Sequence, residues 1–209
     1  MIQPIACILA GGRSSRFGAD KARVSVGGGV QILRVARAIE PFASEVIVAA
    51  ETDGKYADLG LKTVADTRPH QGPAGGLRTA LEYAGPDRSV LLLSCDFLDI
   101  RPHWIQQLIN GAERWFPVSS AVNATASTPR AVAFRHSHWE PLMAIYHSSA
   151  LPRLALISAG ADGNSAAASG FAGPLWRILE RLEAVALPLP IDWPARVQFN
   201  SPAELQANL

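Results

Sequence analysis

Apolar residues fall into short unbroken runs in the first half of the chain: Ile5 to Ala10, Glu45 to Ala50 and Ser89 to Ser94, with a weaker run from Leu61 to Ala65. Runs of this length without alternation are how parallel strands buried on both faces read. Between them the apolar positions recur at helical spacing, predicting helices over about Val30 to Pro41, Ala74 to Tyr83 and Pro102 to Arg114. Strands alternating with helices predict βαβ units: an α/β fold, Rossmann-like, with a mostly parallel sheet between two helical layers. Ligands of such sheets bind beyond the carboxyl ends of the strands.

The second half is less regular. Trp115 to Val122 and Arg130 to Arg135 are expected to be strands, paired antiparallel across a polar turn at Asn123 to Pro129. Helices are expected at Leu151 to Ser158 and Leu175 to Leu182, with a strand at Ala184 to Leu189. Ala159 to Gly173 is rich in small residues and reads as a loop. After Asn200, Ser201-Pro202-Ala203-Glu204 supplies a cap, a proline at the first helical position and an early acid, a strong helix start. No repeat or linker divides the chain, so residues 1–209 are expected to form one domain.

Composition narrows the functional classes. With 19 basic against 18 acidic residues the formal net charge is +1, which leaves no broad basic face for nucleic acid. Any anion must be recognised locally. Cys7 and Cys95 sit in apolar runs and are expected to be buried, reduced thiols rather than a disulfide or zinc site. His136 and His138, two apart on an expected strand, lack an evident third ligand. Met1-Ile2-Gln3-Pro4 has no basic stretch leading into a long apolar segment, and no run approaches membrane-spanning length, so a cytoplasmic protein without membrane contact is expected.

Three segments carry candidate chemistry. Leu9-Ala10-Gly11-Gly12-Arg13-Ser14-Ser15-Arg16-Phe17-Gly18-Ala19-Asp20-Lys21 follows the first strand. Its glycines let the backbone turn sharply and approach a ligand, successive N–H groups can surround an anion, and Arg13, Arg16 and Lys21 add positive charge. Phosphate is the natural guest. Neither a P-loop nor a dinucleotide fingerprint is present. Ser94-Cys95-Asp96 ends the third run, where a carboxylate beside phosphates is a usual ligand for Mg²⁺; capping of the next helix is the competing role, for which Asp99 is also placed. Asp66 ends another run, and Gly72-Pro73-Ala74-Gly75-Gly76-Leu77 then opens a helix with little side-chain bulk, so a flat ligand could lie against Gly75 with Asp66 accepting from base or sugar. A plain turn and helix start is the alternative. Gly27-Gly28-Gly29 reads as a tight turn.

On these residues the chain resembles the molybdenum cofactor guanylyltransferase family. The family's opening pattern is similar to Leu9-Ala10-Gly11-Gly12 with Arg16, Gly18 and Asp20-Lys21; the Gly72 to Leu77 segment, Cys95-Asp96, Glu140 to Tyr146 and Phe199-Asn200-Ser201-Pro202-Ala203-Glu204-Leu205 resemble later motifs in the same order. The chain departs at Ala49, where the family often has an Asn that contacts the nucleotide. The resemblance implies a fold of the nucleotide-diphospho-sugar transferase type and transfer of GMP from GTP to molybdopterin, with pyrophosphate released.

It further implies that Leu9 to Gly12 and Arg16 hold the triphosphate and that Lys21 offsets charge at the α-phosphate. Asp96, with Asn200, would hold Mg²⁺, and Asp66 would read the guanosine. Related cytidylyltransferases tend to carry Leu-Ala-Ala-Gly and lack the Asp before the Lys, so Gly11-Gly12 and Asp20-Lys21 favour GTP over CTP. Cofactor-accepting oxidoreductases or their chaperones are the protein partners such an activity would have. A nucleotidyltransferase using CTP or a sugar phosphate, and a non-catalytic nucleotide-binding accessory protein, stay open as alternatives.

Overall fold

In a computed structural model of the chain, residues 2–10, 19–67, 71–116, 129–158 and 174–206 are described. The long apolar runs become the middle of a seven-stranded sheet. Strands β1 (Ile5–Leu9), β4 (Glu45–Ala50), β5 (Lys62–Ala65) and β6 (Ser89–Ser94) are parallel, in the order β5-β4-β1-β6. The sheet continues through β8 (Trp139–His147), β7 (Ala131–Arg135) and β9 (Val185–Leu187), and β8 alone among these strands runs against the others. β1 and β6 are covered on both faces, which is why neither alternates in polarity, whereas the edge strand β5 exposes Lys62 and gives the weaker sequence signal.

Helices cover both faces. One side packs α1 (Gln31–Ile39) and α3 (Pro102–Trp115) against the sheet through Ile32, Val35, Ile39, Trp104, Ile105 and Leu108. The other packs α2 (Gly72–Ala84), α4 (Leu151–Ser158) and α5 (Leu175–Arg181) through Leu77, Leu81, Leu154, Ile178 and Leu179. The three-layer α/β architecture with a mostly parallel sheet is therefore the one expected. Between β1 and α1 the short strands β2 (Ser25–Val26) and β3 (Gly29–Val30) form a hairpin turned by Gly27 and Gly28, whose φ values of 57° and 80° suit glycine. A last short helix, α6 (Pro202–Gln206), follows Ser201, whose Oγ accepts from the Glu204 N–H at 3.2 Å.

Two expectations in the second half need correction. Trp115 does not start a strand; it ends α3, because the helical stripe Trp104, Leu108, Ala112 continues to Phe116, which turns into the core at 4% exposure while Trp115 stays outside. The antiparallel partner of β7 is instead β8, and His136 and His138 lie in the connection between them, not on a strand. Residues 117–128 and the small-residue loop 159–173 lie outside the described residues.

The chain leaves β1 for β4 and β5 on one side, then returns through α2 to β6 on the other. The carboxyl ends of β1 and β6 thus flank the point where strand order reverses, which is where open α/β sheets place their ligand crevice.

Candidate active site

Two backbone bonds carry the β1 pairing one residue beyond the strand: the Ala10 N–H donates to Ala49 at 3.0 Å and the Cys95 N–H donates to Leu9 at 3.1 Å. The first corrects an expectation. Ala10, expected to offer its amide to a phosphate, has that amide already bonded to Ala49 within the sheet, so it is not open to one. Ala49 is likewise inside β4 at 3% exposure, so no nucleotide-contacting side chain emerges at that position. Leu9 packs against α2 so closely that a Cβ at Gly76 would stand 2.6 Å from Leu9 Cδ2, and a side chain there would require Leu9 to move. Gly11, Gly12 and Arg16 lie outside the described residues.

At the other end of the glycine-rich segment, Asp20 caps a single 3₁₀ turn, Lys21–Arg23, by accepting from the Ala22 N–H at 3.1 Å. Lys21 then reaches over the sheet. Its ammonium donates to Asp96 Oδ2 at 2.5 Å and to Asn200 Oδ1 at 3.3 Å, and lies 4.9 Å from the centroid of the buried Phe199 ring. Residues 21, 96 and 200 meet around one positive charge.

Asp96 is 8% exposed and held from several directions. Ser94 Oγ donates to Oδ1. Gln31, fully buried at the start of α1, donates from Nε2 to the carbonyls on either side of Asp96: Cys95 at 3.0 Å and Phe97 at 2.6 Å. Arg34 in turn donates to Gln31 Oε1 at 2.9 Å and to the Leu98 carbonyl at 3.3 Å. Gln31 is a site residue the sequence reading missed. The signal available was a glutamine at an otherwise apolar position of the helical stripe, where a polar side chain must find buried partners.

Asn200 arrives from the far end of the chain because Val197 to Phe199 runs beside the turn after β6. Leu98 N–H donates to Val197 at 2.8 Å and Phe199 N–H to Asp96 at 3.3 Å. The same segment is pinned upstream by Asp192, which accepts from Trp104 Nε1 at 2.8 Å, Arg101 at 2.6 Å and His103 at 2.9 Å. These bonds, Trp104 and His103 foremost, hold the Asp192 carboxyl well below the ordinary range. Trp193 packs against Trp104 at a tilt of 41° with centroids 4.7 Å apart.

Asp66 sits just after β5, and its Oδ1 accepts from Thr79 of α2 at 3.1 Å, tying the strand end to the helix that carries Gly75. This bond draws Asp66 toward α2, while Lys21, Asp96 and Asn200 gather around one another. Both cysteines are buried and free, and burial pushes each thiol up to about 12, so neither is a nucleophile near neutral pH.

The donor set suits a hard divalent cation. A carboxylate oxygen and a carboxamide oxygen already converge on one cationic group, and Mg²⁺ takes one or two protein oxygens with the remaining sites left to water and phosphate. Among the described residues no group of three or more His, Cys, Asp or Glu forms a self-sufficient metal cage. Substrate oxygens would have to complete the coordination.

The family model of the MobA-like NTP transferase domain matches residues 6–184, a span that holds Lys21, Asp66 and Asp96 and stops before Asn200. A protein named probable molybdenum cofactor guanylyltransferase from Carboxydothermus hydrogenoformans is 34% identical over 145 residues, covering 69% of this chain and 66% of the relative. One of the same name from Deinococcus radiodurans is 33% identical over 161 residues, covering 77% and 76%. The chain thus spans about two thirds to three quarters of these relatives' lengths. Among solved structures, molybdopterin-guanine dinucleotide biosynthesis protein A from Archaeoglobus fulgidus superposes with a TM-score of 0.73 at 20% identity, covering 97% of this chain and 95% of that one. CMP:2-keto-3-deoxy-manno-octonic acid synthetase, solved with CTP, gives 0.68 at 13% identity, covering 98% and 96%. At those identities the structures speak for the fold alone, which is that of the nucleotide-diphospho-sugar transferases. With the family match over most of its length, the chain belongs to the MobA-like NTP transferase family, and nucleotidyl transfer is the class of reaction that comes with it.

Proposed function

We propose that the protein transfers GMP from GTP to the terminal phosphate of molybdopterin, releasing pyrophosphate. The observation that carries this reading is the convergence of Lys21, Asp96 and Asn200 beside the carboxyl ends of β1 and β6, in a chain whose relatives are named molybdenum cofactor guanylyltransferases.

An acceptor phosphate oxygen attacks the α-phosphorus in line, forming one P–O bond as the bond to the β-phosphate oxygen breaks. Little covalent work falls to the protein; positioning and charge neutralisation do most of it. Lys21 offsets negative charge developing around the α-phosphorus. The Ser94 hydroxyl and the two carbonyls held by Gln31 keep the Asp96 carboxylate facing the crevice. Asp96 and Asn200 would hold Mg²⁺, which, when bound, neutralises phosphate charge. Asp66 and the small-residue start of α2 offer a hydrogen-bond acceptor and a flat backbone surface to the guanosine.

Two buried free thiols accord with a reducing, cytoplasmic setting. Among the described residues no helix is long and apolar enough to cross a membrane.

The test is pyrophosphate release by the purified protein across GTP, CTP, ATP and UTP, each with and without molybdopterin. Release is expected only with GTP and molybdopterin together, is lost with a chelator and returns with added Mg²⁺. GTP binding without turnover under every condition would overturn the reading in favour of an accessory binding protein.

A further inference from the structure

Tyr56 lies in the connection between β4 and β5, with no side-chain surface exposed to solvent. Its hydroxyl is 3.1 Å and 3.3 Å from the two carboxylate oxygens of Asp20 and 3.4 Å from the Ala10 carbonyl oxygen. Ala10 follows the last residue of β1, and Asp20 is the cap of the turn that presents Lys21. One hydroxyl therefore stands within reach of two points ten residues apart, and its single proton goes to Asp20, the nearer and charged acceptor.

The surroundings are specific to a phenol. Burial, then the Asp20 charge, raises the Tyr56 pKa, so the group stays a donor at any working pH. The Arg23 guanidinium and the Lys55 ammonium lie 5.2 Å and 5.4 Å from the ring centroid. Both cations also approach Asp20 Oδ2, at 3.8 Å and 3.7 Å, and Arg23 is braced by two bonds to Asp58. Asp20 has both oxygens engaged locally, one with the Ala22 N–H and both with Tyr56, so its carboxylate acts on the turn.

We propose that Tyr56 is a positioning residue for nucleotidyl transfer: through Asp20 it fixes the turn that aims Lys21 at Asp96. The inference rests on Lys21 acting on the triphosphate, as argued above.

The test is a double-mutant cycle on the full chain, assayed well below the melting transition of every variant. Tyr56→Phe keeps the ring and removes the hydroxyl, and is expected to lower kcat about tenfold, the worth of one hydrogen bond to a charged group, with KM for GTP changed less than kcat. Asp20→Asn should behave in the same way. In a Lys21→Ala background, Tyr56→Phe should cost nothing further, because the group it orients is gone. Where steady-state turnover of the Lys21→Ala variants is low, the same cycle is read on single-turnover rates with enzyme in excess.

Wild-type kcat in Tyr56→Phe, or a loss that multiplies with that of Lys21→Ala, would overturn the proposal while leaving the assignment of Lys21 intact. Full activity in Lys21→Ala would reject the assignment of Lys21, and the proposal with it.

Discussion

Asp96 and Lys21 are a nearly buried ion pair, with side chains 12% and 15% exposed, so each pays a desolvation cost that only a partner offsets. Truncating Asp96 would leave an ammonium facing the Asn200 amide oxygen and an aromatic ring, mixing a stability defect into any kinetic result. Asp96→Asn is the cleaner change. It keeps the shape and the contact with Ser94 while removing the charge that holds a cation. The expected outcome is a kcat reduced by about 10²-fold to 10³-fold, with a melting temperature close to wild type. Normal Mg²⁺-dependent turnover in Asp96→Asn would remove this residue from the chemistry. Lys21 and Asp96 were legible in the sequence because short motifs carry residue type and spacing together. The Ala10 amide was not, since its bond to Ala49 depends on how far β1 and β4 stay in register.

Among the elements, α1 reaches the site through the turn that follows β6. Its first residue, Gln31, satisfies the carbonyls that flank Asp96, and Arg34 one turn later holds Gln31 and Leu98. Gln31→Ala would strand two buried acceptors, at about 1–3 kcal/mol for each. A lower melting temperature is expected, together with a lower kcat at temperatures where the variant is fully folded, because the turn after β6 loses its support. Unchanged kcat in that regime would make Gln31 a purely structural residue. From sequence the helix itself was plain, through Ile32, Val35 and Ile39 at helical spacing. What Gln31 bonds to was hidden, since its partners lie 64 and 66 residues away. The misassigned start at Trp115 has a related cause: an apolar aromatic at a helix end carries no mark of which side it faces until the sheet below is placed.

At the scale of the whole molecule, His147 links global stability to pH. It ends β8, is buried beside Phe116, and its Nδ1 accepts from the Ser149 N–H at 3.2 Å, so the native state needs that nitrogen unprotonated. Burial lowers its pKa from the ordinary 6.5, partly opposed by Asp87. As pH falls the unfolded chain therefore takes up the proton first. The contribution of His147 is complete above about 6.5 and is lost as pH drops through the lowered native value. Thermal melts between about pH 7.5 and 5.5 should show a falling melting temperature that His147→Gln flattens; an equal slope in both proteins would exclude His147 as the cause. Sequence alone determined the α/β class, the central strands and the motif residues, because burial on both faces and helical periodicity are local patterns that survive without coordinates. Only the tertiary structure decided that positions 21, 96 and 200 share one charge, that Tyr56 and Gln31 support them, and that β8 rather than a strand at Trp115 partners β7. Those outcomes depend on contacts between distant segments, whose pairing is set by the packing of the complete sheet and leaves no periodic trace in the chain.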